Sequence, residues 1–132
     1  MVTREDLESF LIRLGAEYEE LEEGMYLVRS RGDDLPIVFH HSPPLLLLRM
    51  KVMDLSPDTG NEVLYRTLLE LNATDVVHGA YGLEDGELIL SDTLELSTLD
   101  FEEVQASVES IQLAASGHMA RIRDMAGVES GS

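Results

Sequence analysis

Asp85-Gly86, set between two apolar runs, constrains the fold more than any other pair of residues in the chain. A type I′ turn needs positive φ at both central positions, which Asp and Gly tolerate, so Glu84 should face Glu87, Leu83 face Leu88, and Tyr81 face Leu90. That register puts Tyr81, Leu83, Leu88 and Leu90 on one face. The first strand of this hairpin is expected over Val76–Leu83, with His78 alternating between Val76 and Ala80 as an ordinary strand residue. Thr59 and Glu62 have capping-box spacing, predicting a helix that runs to about Leu71 and closes on Asn72 in the left-handed conformation.

On a wheel of 100° per residue, Leu64, Tyr65, Leu68, Leu69 and Leu71 of that helix spread over about 160°, wider than the roughly 100° that one core contact occupies. Two readings follow. Either the helix is unusually deeply buried in its own domain, or the excess, with Tyr65, Leu68 and Leu69 as its candidates, meets a partner or a second copy.

Upstream, Thr3 and Asp6 form a capping pair, and Leu7, Phe10, Leu11 and Leu14 recur at the spacing of one buried helical face, with Gly15 as a stop. Glu17, Glu19, Glu20, Glu22 and Glu23 surround Tyr18 and Leu21. A hard-cation loop needs oxygens spaced along a turn with a Gly to bend it, so this run reads as a solvated edge and no metal site is expected. Strands are expected over Met25–Ser30 and Leu35–His41, joined by a turn at Arg31–Asp34. Ser42-Pro43-Pro44 interrupts the sheet before Leu45–Leu55, the most apolar strand. There Leu46, Leu48, Met50 and Val52 face one way, and Leu45, Leu47, Arg49, Lys51 and Met53 the other. Arg49 and Lys51 are candidates for an anion or ligand site with the Ser56–Asn61 loop; the alternative is pairing with the chain's own carboxylates.

Asp100 and Glu103 open a last helix in which Phe101, Val104, Val108, Ile111, Ala115, His118, Ile122 and Met125 recur at steps of three and four. At 1.5 Å per residue such a helix reaches roughly 37 Å. Its first half is expected on the sheet and its second half to overhang, fraying or meeting another protomer through Ile122 and Met125, with Gly117 weakening the helix. Residues 1–126 are expected to form one domain and 127–132 a disordered tail.

Composition removes whole classes of function. Without Cys there are no disulfides and no thiolate chemistry. Nine Lys plus Arg against 26 Asp plus Glu give a formal charge of −17, which repels phosphate backbones and argues against nucleic acid. Hydrophobic residues at 44% nevertheless exceed what a disordered acidic chain contains. No apolar run is long enough to cross a membrane and no secretory signal precedes the first helix, so a cytoplasmic location is expected. Histidines 40, 41, 78 and 118 form no catalytic or metal-binding motif, and no nucleotide-binding glycine loop is present. Neither an enzyme nor a cofactor is expected.

The order helix, three strands, helix, two strands, helix resembles the α+β fold of type III secretion chaperones of the CesT/Tir-chaperone type. Leu64-Tyr65-Arg66-Thr67-Leu68-Leu69-Glu70-Leu71-Asn72, followed by Gly79-Ala80-Tyr81-Gly82 and Leu88-Ile89-Leu90, resembles the YbjN-type bacterial family, associated with sensory transduction regulation and with Tir chaperones. The resemblance implies an antiparallel sheet packed with helices and a small, acidic homodimer that holds an extended segment of a protein or peptide client on apolar sheet and helix surface. The alternative it leaves is a regulator that senses a small molecule or anion.

Overall fold

A computed structural model describes residues 1–30, 35–55 and 61–127. Among them the chain forms α1 (Arg4–Arg13), β1 (Glu17–Glu22), β2 (Met25–Arg29), β3 (Ile37–Ser42), β4 (Leu45–Asp54), α2 (Glu62–Thr74), β5 (Ala80–Glu84), β6 (Glu87–Glu95) and α3 (Phe101–Met125). The strands make one antiparallel sheet in the order β1-β2-β3-β4-β6-β5. The expected turn at Arg31–Asp34, Thr59 with its Ser56–Gly60 loop, and the tail beyond Gly127 lie outside the described residues; the cap of the second helix, expected at Thr59, is Asn61, whose side chain accepts from the Leu64 amide.

Alternation decides which way the sheet faces. Tyr26, Val28, Ile37, Phe39, Leu46, Leu48, Met50, Leu88 and Leu90 all point to one side and are buried there, joined in one core by Leu7 and Leu11 of α1, Leu64, Leu68 and Leu71 of α2, and Val104, Val108, Ile111 and Ile122 of α3. All three helices therefore cover the same face. Met25, Leu27, Val38, Leu45, Leu47 and Ile89 of the opposite face are only half-buried, because among the described residues no helix lies over them.

The hairpin has the expected geometry. Asp85 and Gly86 both take positive φ, 51° and 76°, and Tyr81 pairs with Leu90, Leu83 with Leu88, and Glu84 with Glu87. Leu83 shares the face but sits at its rim and is exposed. The Thr3–Asp6 capping box is complete, with amide-to-oxygen distances of 3.0 and 3.1 Å, and those bonds, led by the Thr3 amide, hold the Asp6 carboxyl below the usual carboxylate range.

Four local expectations change. Glu17–Glu22 is a full strand, the solvated outer edge of the sheet; its acidity suits an edge whose outer side faces water. The strand predicted from Val76 begins only at Ala80, because His78 gives its backbone to Ser110 of α3: its N–H donates to Oγ at 2.9 Å and its carbonyl accepts from that hydroxyl at 3.2 Å. The second helix continues past Leu71 to Thr74, and Asn72 sends its side chain to β5 instead of closing the helix. The second half of α3 does not overhang. Ala114, Ala115, His118 and Ile122 are buried, since the helix continues across the sheet to meet the end of α2.

Gly79 fixes where β5 begins. With φ at +93°, it passes so close to β6 that an added Cβ would lie 2.5 Å from the Ser91 carbonyl oxygen.

Candidate functional site

The helix α2 starts at Asn61, whose Oδ1 accepts from the Leu64 amide at 2.9 Å while its Nδ2 donates to the Met125 carbonyl at 2.8 Å. One side chain thus caps α2 and ties it to the end of α3. Leu64, Leu68 and Leu71 then point inward at turn spacing and are buried. Tyr65 and Leu69, one residue on from Leu64 and Leu68, point outward and are 36% and 70% exposed. With Glu62, Arg66, Glu70 and Ala73 they line an open groove of about 680 Å³, with Arg66 bonded back to Glu62 at 3.3 Å.

The structure separates the residues that the sequence offered for a partner contact. Tyr65 and Leu69 are accessible, Leu68 and Ile122 lie in the chain's own core, Ile122 at 0% exposure, and Met125 is half-buried beside Asn61. The arc of about 160° holds both readings, an inner stripe for the core and an outer one left over.

Arg49 and Lys51 lie on the uncovered face of the sheet, each engaged by carboxylates. Arg49 Nη1 lies 3.0 Å from Glu84, and Lys51 Nζ lies 2.7 Å from Glu87 and 3.0 Å from Asp54. The hydrogen bonds that Lys51 donates, first to Glu87 and then to Asp54, favour its ammonium form and raise its pKa above that of an ordinary lysine.

Two polar arrangements were not visible in the sequence. The Asn72 amide pairs with both backbone groups of Tyr81: Oδ1 accepts from its N–H at 2.6 Å and Nδ2 donates to its carbonyl at 3.2 Å. A side chain from α2 thereby occupies the hydrogen-bonding positions that a further strand would use along β5. The second lies nearby. His118 Nε2 donates to Asp75 Oδ2 at 3.1 Å, and Nδ1 faces the Tyr81 hydroxyl at 2.8 Å. Burial, with a smaller contribution from the Asp75 charge, pushes the Tyr81 phenol well above its ordinary range.

Such a carboxylate, imidazole and hydroxyl chain invites comparison with a nucleophilic triad, but both imidazole nitrogens are already engaged inside the protein and the ring is buried. It serves as a clamp between α2, β5 and α3. His41 is also structural, its Nε2 donating to the Val2 carbonyl at 2.9 Å. Among the described residues no His, Asp and Glu side chains group as metal ligands, and no helix is long and apolar enough to cross a membrane.

Similar folds are found among solved structures. A chain of the heterodimeric ExoU–SpcU complex of the Pseudomonas aeruginosa type III secretion system superposes with a TM-score of 0.68 at 11% identity, covering 90% of this chain and 96% of that one. YbjN from E. coli gives 0.66 at 18% identity, covering 92% and 95%. A chain of the Yersinia pestis structure of the type III secretion chaperone SycH, in complex with a fragment of YscM2, gives 0.62 at 22% identity, covering 84% and 94%. No curated protein sequence matches. At these identities the likeness is one of fold, but the CesT_Tir_1 family model matches residues 2–127, nearly the whole length, and the chain belongs to that family.

Proposed function

We propose that this protein is a non-enzymatic, chaperone-like binding protein that works as a homodimer and holds a segment of a partner polypeptide. The observation that carries the reading is the split in α2: Leu64, Leu68 and Leu71 fill the core, while Tyr65 and Leu69 on its outer side stay exposed in the monomer. An antiparallel pairing of two copies across this groove would set Tyr65 against Leu69 and Arg66 toward Glu70 of the second copy, an apolar centre flanked by opposite charges, as a two-fold interface requires.

The partner segment is assigned to the sheet face that no helix covers. There Met25, Leu27, Val38, Leu47 and Ile89 offer a half-buried apolar strip between acidic margins. Support comes also from the relatives, since the fold recurs in the HopA1–SchA structure, described as a chaperone–effector complex, and in a structure of the ExsC–ExsE complex. The sensor alternative requires Arg49 and Lys51 to release Glu84, Glu87 and Asp54 before they meet an anion, which makes it the weaker reading.

Light scattering after size-exclusion chromatography tests the dimer. The expected mass is twice 14.7 kDa, falling to the monomer value in Leu69→Asp with an unchanged circular dichroism spectrum. A wild-type monomer at micromolar concentration overturns the dimer. For the client, the purified protein and its Leu47→Lys variant serve as baits in the same lysate; a recurrent polypeptide lost with the variant is the expected result, and equal recovery on both baits removes the sheet-face assignment.

A further inference from the structure

His40 stands in the middle of the apolar strip on the uncovered sheet face. Cross-strand pairing sets it directly between Met25 of β2 and Leu47 of β4, with Val38 two residues before it on the same side and Leu27 opposite Val38. It is half-buried there. Among the described residues the histidine rings that bond to protein groups are those of His41, which points to the helix side and meets the Val2 carbonyl, and His118 of the clamp. His78 lies in the loop before β5.

The charged groups of this face stand farther out. Glu22 lies beyond Met25 on β1, Arg29 farther along β2, Arg49 farther along β4, where Glu84 of β5 engages it, and Glu95 on β6 opposite Leu45. None of them is a cross-strand partner of His40. While the face is open, water solvates either form of the imidazole. An apolar segment laid over Met25, His40 and Leu47 removes that water, and a desolvated ring with no counter-charge beside it resists carrying a proton.

We propose that His40 makes capture on this face pH-dependent: an uncharged, apolar stretch of the client polypeptide is held while the imidazole is neutral and released when it takes up a proton. This rests on the protein-binding reading above and names the chemistry of the occupant and the regulation of its site. The sign follows from linkage. Covering the ring expels its proton, so affinity is full at alkaline pH and falls on acidification, by at most about tenfold per pH unit for one proton.

The test follows Nile red, a neutral apolar dye, titrated into the full chain at about pH 8 and about pH 5.5, which bracket the ordinary titration range of histidine. Both lie above the chain's isoelectric point of about 4.3. Leu47→Lys places the dye, whose binding it should abolish. The wild type is expected to bind at least about fivefold more weakly at the lower pH, and His40→Leu equally well at both. His40→Gln replaces His40→Leu if circular dichroism shows that the latter is misfolded. Equal wild-type affinity at the two pH values, or the same fall in the His40 variant, overturns the inference and leaves the sheet-face assignment standing. No dye binding by the wild type, or undiminished binding by Leu47→Lys, overturns the inference together with that assignment.

Discussion

The Tyr81 hydroxyl lies 2.8 Å from Nδ1 of His118, and through that ring β5 and α3 are joined to Asp75 at the end of α2. Burial first, and the Asp75 charge second, keep the phenol protonated beyond its ordinary value of 10.0. The folded protein thus retains a proton that the unfolded chain releases. Its stabilising effect is complete below about pH 10 and is lost as pH rises above that value. Tyr26, raised chiefly by burial, acts in the same direction. Urea midpoints measured from about pH 8 to 11 should fall at the alkaline end for the wild type and fall less for Tyr81→Phe. Equal slopes would show that Tyr81 ionises alike in both states. At neutral pH the same substitution leaves Nδ1 without its partner and should cost about 1–3 kcal/mol.

Asn72→Ala removes both bonds to the Tyr81 backbone. The expected loss is about 1–3 kcal/mol in urea unfolding, accompanied by faster exchange of the Tyr81 amide. Unchanged exchange there would mean that the edge is protected by something other than this amide.

Two apolar truncations on neighbouring elements should behave oppositely. Ile122→Ala opens a hole in a fully buried site and should cost about 2–5 kcal/mol at any protein concentration. Leu69→Ala removes an exposed side chain and should change monomer stability by less than about 0.5 kcal/mol while weakening self-association. Denaturant melts at two concentrations an order of magnitude apart separate the effects.

Gly117 lies inside α3 with nothing within 4 Å of where a Cβ would stand. Gly117→Ala should therefore stabilise the protein by about 0.4–1 kcal/mol, read as a rise in melting temperature. A fall would indicate a neighbour that approaches the helix there.

The hairpin, the Thr3 and Asp100 caps, the inward face of β4 and the seam of α3 could all be read from the chain, because each depends on local φ, local capping or a period of 2 or 3.6. The α2 arc likewise announced two faces but not which residue served which. What could not be read depended on contacts across long separations. Nothing around His78 tells that Ser110 will take its backbone, and Asn72 looks like a helix stop until Tyr81 is folded beside it. The alternation of Glu17, Tyr18 and Glu19 was a strand signal, masked by a charge content that suits a water-facing edge. His118 interrupted an apolar seam; that polarity was the one mark of the clamp it forms with Asp75 and Tyr81.

Gly79 crosses the Ser91 carbonyl with no room for a methyl group, and seven residues before it stands Asn72, two residues after it Tyr81. The crossing acts as a fulcrum. A side chain at position 79 would push the start of β5 away from β6, and the shift would be felt at Tyr81, where the Asn72 amide must meet two backbone atoms at once. A substitution at Gly79 should thus unseal the β5 edge without touching any residue that seals it, giving the sheet a second open border.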